Sequence, residues 1–301
     1  MKNKIKIPFF ILLGVTLTIA AVLIYKFVVR PAISQMQYRK MAEANKVTSV
    51  SEPEAGPIEE YEEEPDPIEE EPAPAEEPVE EPEPQRILNP ISDYDIPDIK
   101  PDFEELYNLN KDIYAWIYIP DTLIDYPVLQ SDEELDYYLN RNLDGSTGYP
   151  GCIYSQNLNS KDFSDFDTVL YGHNMNAGTM FANLHYYEDK DFFDSHPYVY
   201  IFTEEGVLVY QVFAASKYPN ILIPISYDFS SVNTRISYIE GLFEYAQDMC
   251  NIDTDVEIDE LSNILTLSTC IPNVPENRYI VSTVLVADGR NYSEPVEEYS
   301  E

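Results

Sequence analysis

From about residue 100 onward the chain is built of short apolar and β-branched runs separated by Gly, Pro, Asn and Asp, and each run reads as a strand. These are Tyr114 to Ile119, Ile124 to Leu129, the run around Cys152, Asp167 to Tyr171, Tyr198 to Phe202, Val207 to Ala215, Ile264 to Thr269 and Arg278 to Val286. The Glu205-Gly206 turn joins two of them into a hairpin. Helical spacing of apolar residues predicts helices over Asp102 to Asn110, Glu133 to Leu139, Met180 to Tyr187 and about Thr234 to Met249. The last lies in a long excursion between Lys217 and Asn263. Many short strands, few helices and no strand–helix–strand alternation predict a mainly β barrel or sandwich with helical insertions.

The N-terminal third has a different character. Pro8 to Tyr25 is a charge-free apolar run of about 18 residues, about 27 Å as a helix and thus long enough to cross a membrane. Lysines precede it, basic residues follow it, and no small-residue cleavage site is evident, so an uncleaved signal-anchor is expected, with a cleaved signal peptide as the alternative. Val47 to Gln85 contains no Lys or Arg and is dominated by Glu, Pro and Ala, a composition that cannot bury a core and predicts a disordered, extended spacer. At ~3.1 Å per residue such a spacer reaches on the order of 100 Å. The expected division is therefore a cytoplasmic tip and transmembrane segment over 1–30, a disordered Glu/Pro-rich linker over 31–90, a folded domain over 91–290 and an acidic tail over 291–301.

The net charge of −37 argues against nucleic acid or an anionic membrane surface as a partner, since polyanions are repelled. The acidic loop of Asp253, Asp255, Glu257, Asp259 and Glu260 lacks the glycine and the bidentate glutamate of a calcium loop. No metal or cofactor is expected.

Three cysteines, Cys152, Cys250 and Cys270, do not make a disulfide framework, and one thiol is left over in any pairing. Cys152 in an apolar strand-like run and Cys250 at the end of a helical pattern read as core residues, and Trp116 reads the same way. By itself Thr266 to Cys270 also reads as a strand closing on a structural cysteine. Two other residues alter that reading. His173 follows a strand end beside Gly172, and Arg278 opens the strand after Cys270, which an antiparallel pairing would bring close. A thiol attacks a carbonyl only as thiolate and needs a base or a cation beside it, and the oxyanion that forms needs a donor. Cys270, His173 and Arg278 together would make a complete acyl-transfer site.

Tyr171-Gly172-His173-Asn174-Met175, Gly178-Thr179-Met180-Phe181, Thr266-Leu267-Ser268-Thr269-Cys270 and Asn277-Arg278-Tyr279 resemble the sortase family, and in detail its class B. Trp116 to Pro120 and Ile124 to Gln130 fit that class too, so the resemblance spans about Asp102 to Ala287. It implies a closed β-barrel of roughly eight strands with short helices, and a single-pass cell-membrane transpeptidase facing the wall of a Gram-positive-type cell. Cys270 would attack the carbonyl after Thr in the C-terminal sorting signal of a surface protein. His173 would serve as acid and base, Arg278 would hold the oxyanion, and Tyr171, Asn174 and Thr269 would contact the substrate. A peptidoglycan-precursor amine or a pilin lysine would release the thioacyl enzyme. The residues leave two rivals open: a cysteine peptidase that passes the acyl group to water, and a wall-spanning binding module without chemistry.

Overall fold

The computed structural model describes residues 18–46 and 86–290. Residues 18–24 are helical and continue through a π-helical turn, Tyr25–Val29, into α1, Arg30–Asn45. Among the described residues no helix is long and apolar enough to cross a membrane. Most of the expected span Pro8 to Tyr25 lies outside them, as does 47–85. Part of the stretch read as linker, residues 31–45, is helical. Pro31 sits just past the π-helical turn, and Gln, Met, Lys, Ala and Arg carry the helix on. It is held to the rest of the chain by Tyr38, which is buried, packs edge-on against Tyr126 at 5.3 Å and donates its hydroxyl to the Gly151 carbonyl at 3.0 Å.

After α2, Phe103–Leu109, capped by the Asp102 carboxylate on the Glu105 N–H at 2.9 Å, come β1, Ile113–Tyr118, β2, Asp125–Leu129, β3, Ile153–Ser155, and β4, Asp167–Tyr171. A 3-10 helix, Phe181–Glu188, and α3, Lys190–Ser195, lead to the hairpin of β5, Tyr198–Thr203, and β6, Gly206–Pro219. The excursion carries α4, Ile223–Ser226, α5, Val232–Met249, and β7, Asn251–Ile252, before β8, Ile264–Cys270, and β9, Asn277–Asp288.

The strands pair in the order β5-β1-β2-β3-β4-β8-β9-β6, and β6 pairs back to β5, so eight strands close into a barrel with β7 appended to β6. The barrel expected from the resemblance is thus present. Two of its contacts, β2 with β3 and β4 with β8, are parallel. The core is aliphatic and aromatic: Ile113, Trp116, Leu129, Val169, Leu265, Leu267 and Val281 are buried. Trp116 is part of it, its indole N–H satisfied by Asp125 at 2.7 Å. All of β4 but its last residue, and all of β8 but Cys270, are buried, which holds the exits of these two strands in fixed positions.

The helix expected over Glu133 to Leu139 is reduced to a 3-10 turn, Tyr137–Leu139. Tertiary partners take over its polar groups. Tyr154 and Gln156 both donate to the Asp136 carboxylate, the Tyr138 carbonyl accepts the Cys152 N–H at 3.1 Å, and the Leu139 carbonyl faces His173.

Candidate active site

The site is set by register. In the parallel β4–β8 pair Tyr171 lies beside Ser268, and the Gly172 N–H continues the ladder to the Ser268 carbonyl at 3.2 Å. His173 and Cys270 are each two residues beyond that matched pair, so both leave the sheet at the same end. On the other flank of β8 the antiparallel register makes Cys270 the partner of Arg278. Three strand ends therefore place Cys270, His173 and Arg278, the residues selected from sequence, at one end of the sheet. Cys270 is exposed, whereas the rest of β8 is buried.

Gly172 permits the close approach. A Cβ there would meet the Ile153 side chain at 2.5 Å and the Phe181 ring at 2.8 Å, so no larger residue fits before His173. The His173 ring is largely enclosed, 4.9 Å from the Tyr149 ring, and donates Nε2–H to the Leu139 carbonyl at 2.7 Å. That bond leaves Nδ1 as the free basic atom of a neutral ring. Burial holds the His173 pKa below the usual histidine value; the Leu139 hydrogen bond opposes this and the Arg278 charge adds to it. Arg278 also opposes the upward shifts of Tyr154 and Tyr171, so its field reaches across the mouth of the site. Its Nη1 donates to the Pro275 and Asn277 carbonyls at 3.3 and 3.1 Å. No hydrogen bond joins Cys270 Sγ to His173 among the described residues.

Residues 117–286 match the model of the sortase domain family. The chain belongs to the sortase family, in its class B. Sortase B of Listeria monocytogenes is 35% identical over 177 residues, covering 58% of this chain and 68% of the relative. Sortase B of Staphylococcus aureus is 31% identical over 182 residues, covering 57% and 68%. The crystal structure of the S. aureus protein is similar in fold with a TM-score of 0.56 at 29% identity, covering 62% of this chain and 88% of that one. As a sortase the chain is a cysteine transpeptidase.

The remaining residues singled out from sequence line the same end of this sortase barrel in different ways. Asn174 donates its side-chain amide to the Cys270 carbonyl at 2.9 Å. Thr269 is buried, its hydroxyl given to the Gly172 carbonyl at 2.8 Å, so it ties the two strand exits together. Tyr171 is half-buried and stacks on Tyr154 at 5.5 Å, and its hydroxyl has no hydrogen-bond partner among the described residues. The other two thiols are less exposed than Cys270. Cys152 is buried under Tyr38 with its pKa pushed up to about 12 by burial, and Cys250 ends α5 with its pKa also raised by burial. A cavity of about 710 Å³ lies between α1 and the barrel, bordered by Gln35, Arg39, Tyr149, Asn174 and Thr179.

Sequence reasoning missed one residue of this cluster. Nothing in the sequence around His185 singles it out, yet its Nε2 lies 3.1 Å from the Cys270 carbonyl. An 85-residue separation gives no periodic signal; the only hint is the His-x-x-Glu spacing to Glu188, whose carboxylate meets His185 Nδ1 at 2.6 Å.

Proposed function

We propose that this sortase cleaves a C-terminal sorting signal after Thr and joins the new carboxyl end to an amine of a peptidoglycan precursor or a pilin lysine. His173 takes the Cys270 thiol proton as Sγ attacks the Thr carbonyl carbon, and the oxygen takes the developing charge against Arg278. His173 passes a proton to the departing amide nitrogen as the C–N bond breaks, leaving a thioester on Cys270. The incoming amine gives its proton to His173 as its nitrogen displaces the sulfur, and His173 passes that proton to the departing sulfur, which restores the thiol and the neutral ring. Tyr171, Asn174 and Thr269 shape the wall against which the peptide lies. A neutral His173 in the resting site fits a base that becomes charged only as the thiol is deprotonated. The chain acts at the outer face of the cell membrane, held there by Pro8 to Tyr25.

The reading rests above all on the paired registers that carry Cys270 opposite Arg278 and His173 out of the neighbouring parallel strand. The structure of a Staphylococcus aureus sortase B–substrate complex, 29% identical with a TM-score of 0.55, supports a fold of this kind as the binder of a sortase substrate. The test is a library of Thr-containing peptides incubated with the full chain, with and without an added amine. Intact mass spectrometry should show a thioacyl adduct on Cys270, absent in Cys270→Ala, and an amide product when hydroxylamine or triglycine is present. Free acid as the sole product under saturating amine would replace this reading with a peptidase, and full activity of Cys270→Ala would end it.

A further inference from the structure

The Cys270 carbonyl is the point where the β4–β8 ladder runs out. Had β4 continued, a backbone N–H from residue 174 would reach it, as Gly172 reaches Ser268. Instead the chain turns away, with Asn174 bridging to Met180. Two side chains replace the lost ladder, Asn174 Nδ2 at 2.9 Å and His185 Nε2 at 3.1 Å. The His185 ring is not a casual contact. It stacks on Tyr279 with centroids 4.7 Å apart and planes 22° from parallel, and Glu188 holds its Nδ1. Tyr279 is in turn the cross-strand partner of Thr269, next to the nucleophile. The 3-10 helix bearing His185 is pinned from behind by Asn251, whose amide donates to the Tyr187 and Glu188 carbonyls at 2.7 and 3.1 Å.

We infer that His185 is a positioning residue for the nucleophile: with both ring nitrogens protonated it donates Nδ1–H to Glu188 and Nε2–H to the Cys270 carbonyl, and, stacked on Tyr279, it clamps that carbonyl together with Asn174. This rests on the proposed role of Cys270. The physical need is specific. Cys270 is the exposed last residue of its strand, where the backbone frays most readily, and attack on a carbonyl tolerates little misplacement of sulfur. A strand end fixed by two donors from separate segments holds the main chain that carries the sulfur, and asks nothing of the substrate.

The experiment compares the full chain with His185→Ala, His185→Gln and Glu188→Ala, using the best-cleaved peptide of a Thr-containing library and hydroxylamine as acceptor. Gln places an amide N–H near the position of His Nε2, so it keeps the clamp without the ring. His185→Ala should lower kcat by about ten- to a hundredfold with KM changed less than about twofold. His185→Gln should recover most of that loss, and Glu188→Ala should fall between them. The inference is overturned if His185→Ala keeps kcat within about threefold of the parent, or if Gln does no better than Ala. Should His185→Ala not fold, Glu188→Ala decides: a lowered kcat at unchanged KM supports the clamp, and an unchanged kcat refutes it. Cys270→Ala run alongside separates the two levels, since activity there removes the nucleophile itself, whereas loss there with an indifferent His185 removes only the clamp.

Discussion

Replacing Asp167 by asparagine should free the fold from a pH dependence that one buried carboxyl imposes. Asp167 opens β4, and its side chain is fully enclosed. Its Oδ2 accepts the Tyr238 hydroxyl at 2.6 Å and the Thr266 hydroxyl at 3.1 Å, while Oδ1 has no partner among the described residues. Burial outweighs these two hydrogen bonds and raises its pKa from 3.8 to about 7. The folded state therefore holds this proton more tightly than the unfolded chain does. The stabilisation is complete below the unfolded value of 3.8 and is lost as pH rises through about 7. A shift from 3.8 to about 7 corresponds to about 4 kcal/mol in all, of which about 2.6 kcal/mol disappears between pH 5 and pH 8.

Asparagine keeps the shape and carries no charge at either pH. Urea unfolding of parent and Asp167→Asn at half-unit intervals from pH 5 to 8.5 measures the difference directly. The gap should move in favour of the variant by about 2 to 3 kcal/mol across that range, because only the parent is paying to ionise a buried group. Parallel curves would refute the reasoning and mean that Asp167 ionises in the fold as easily as in the unfolded chain. Tyr238→Phe offers a cross-check of opposite sense. It removes a donor that lowers the Asp167 pKa, so the decline in this variant should extend to higher pH than in the parent.

Gly172→Ala should cost about 1–3 kcal/mol by overpacking against Ile153 and Phe181, and turnover should suffer more than stability because His173 is the next residue; urea unfolding beside kcat separates the two. In Arg278→Gln the His173 pKa should rise by NMR titration, yet stay below 6.5, since burial remains the larger cause; a fall would contradict the assignment. Tyr38→Ala should loosen α1 at a cost on the order of 3 kcal/mol and open Cys152 to iodoacetamide, a thiol that stays unlabelled in the folded parent.

Much of the site was legible because it depends on adjacency that a sequence displays. A Pro-containing turn between two alternating runs predicts a hairpin, and the hairpin alone puts Arg278 opposite Cys270. His173 was legible through the glycine before it and the buried strand before that. Its nearness to Cys270 was not, because it rests on a parallel pairing of strands nearly a hundred residues apart, and alternation says which face a residue takes but not which strand lies beside it. His185 stayed hidden for the same reason. The Glu133 to Leu139 segment misled in the other direction: its local pattern is helical, and long-range partners for Asp136, Tyr138 and Leu139 outweigh that preference.

The N-terminal anchor takes a different meaning from these contacts. An acidic run placed between a membrane segment and a catalytic domain reads as a spacer, and its length then sets the reach of the enzyme. The residues that bracket it do not fit that geometry. On its near side Lys46 bridges to Ile99, the Asn45 carbonyl accepts the Lys100 N–H at 3.0 Å, and Tyr38 is buried against Tyr126. On its far side Arg86 donates to the Ser262 hydroxyl at 2.6 Å and to the Glu257 carbonyl at 2.7 Å, and the Asn89 N–H reaches Val286. Both ends of 47–85 are thus fastened to one domain, and whatever lies between them adds nothing to the distance from the barrel to residue 30. α1 itself packs against the barrel, Tyr38 on Tyr126 and Gln35 beside Met180, so its 16 residues, about 24 Å as a helix, bound that distance from above. With Pro8 to Tyr25 as the proposed anchor, the catalytic end would work within about one helix length of the bilayer, at the cost of whatever freedom a ~100 Å tether would have given it.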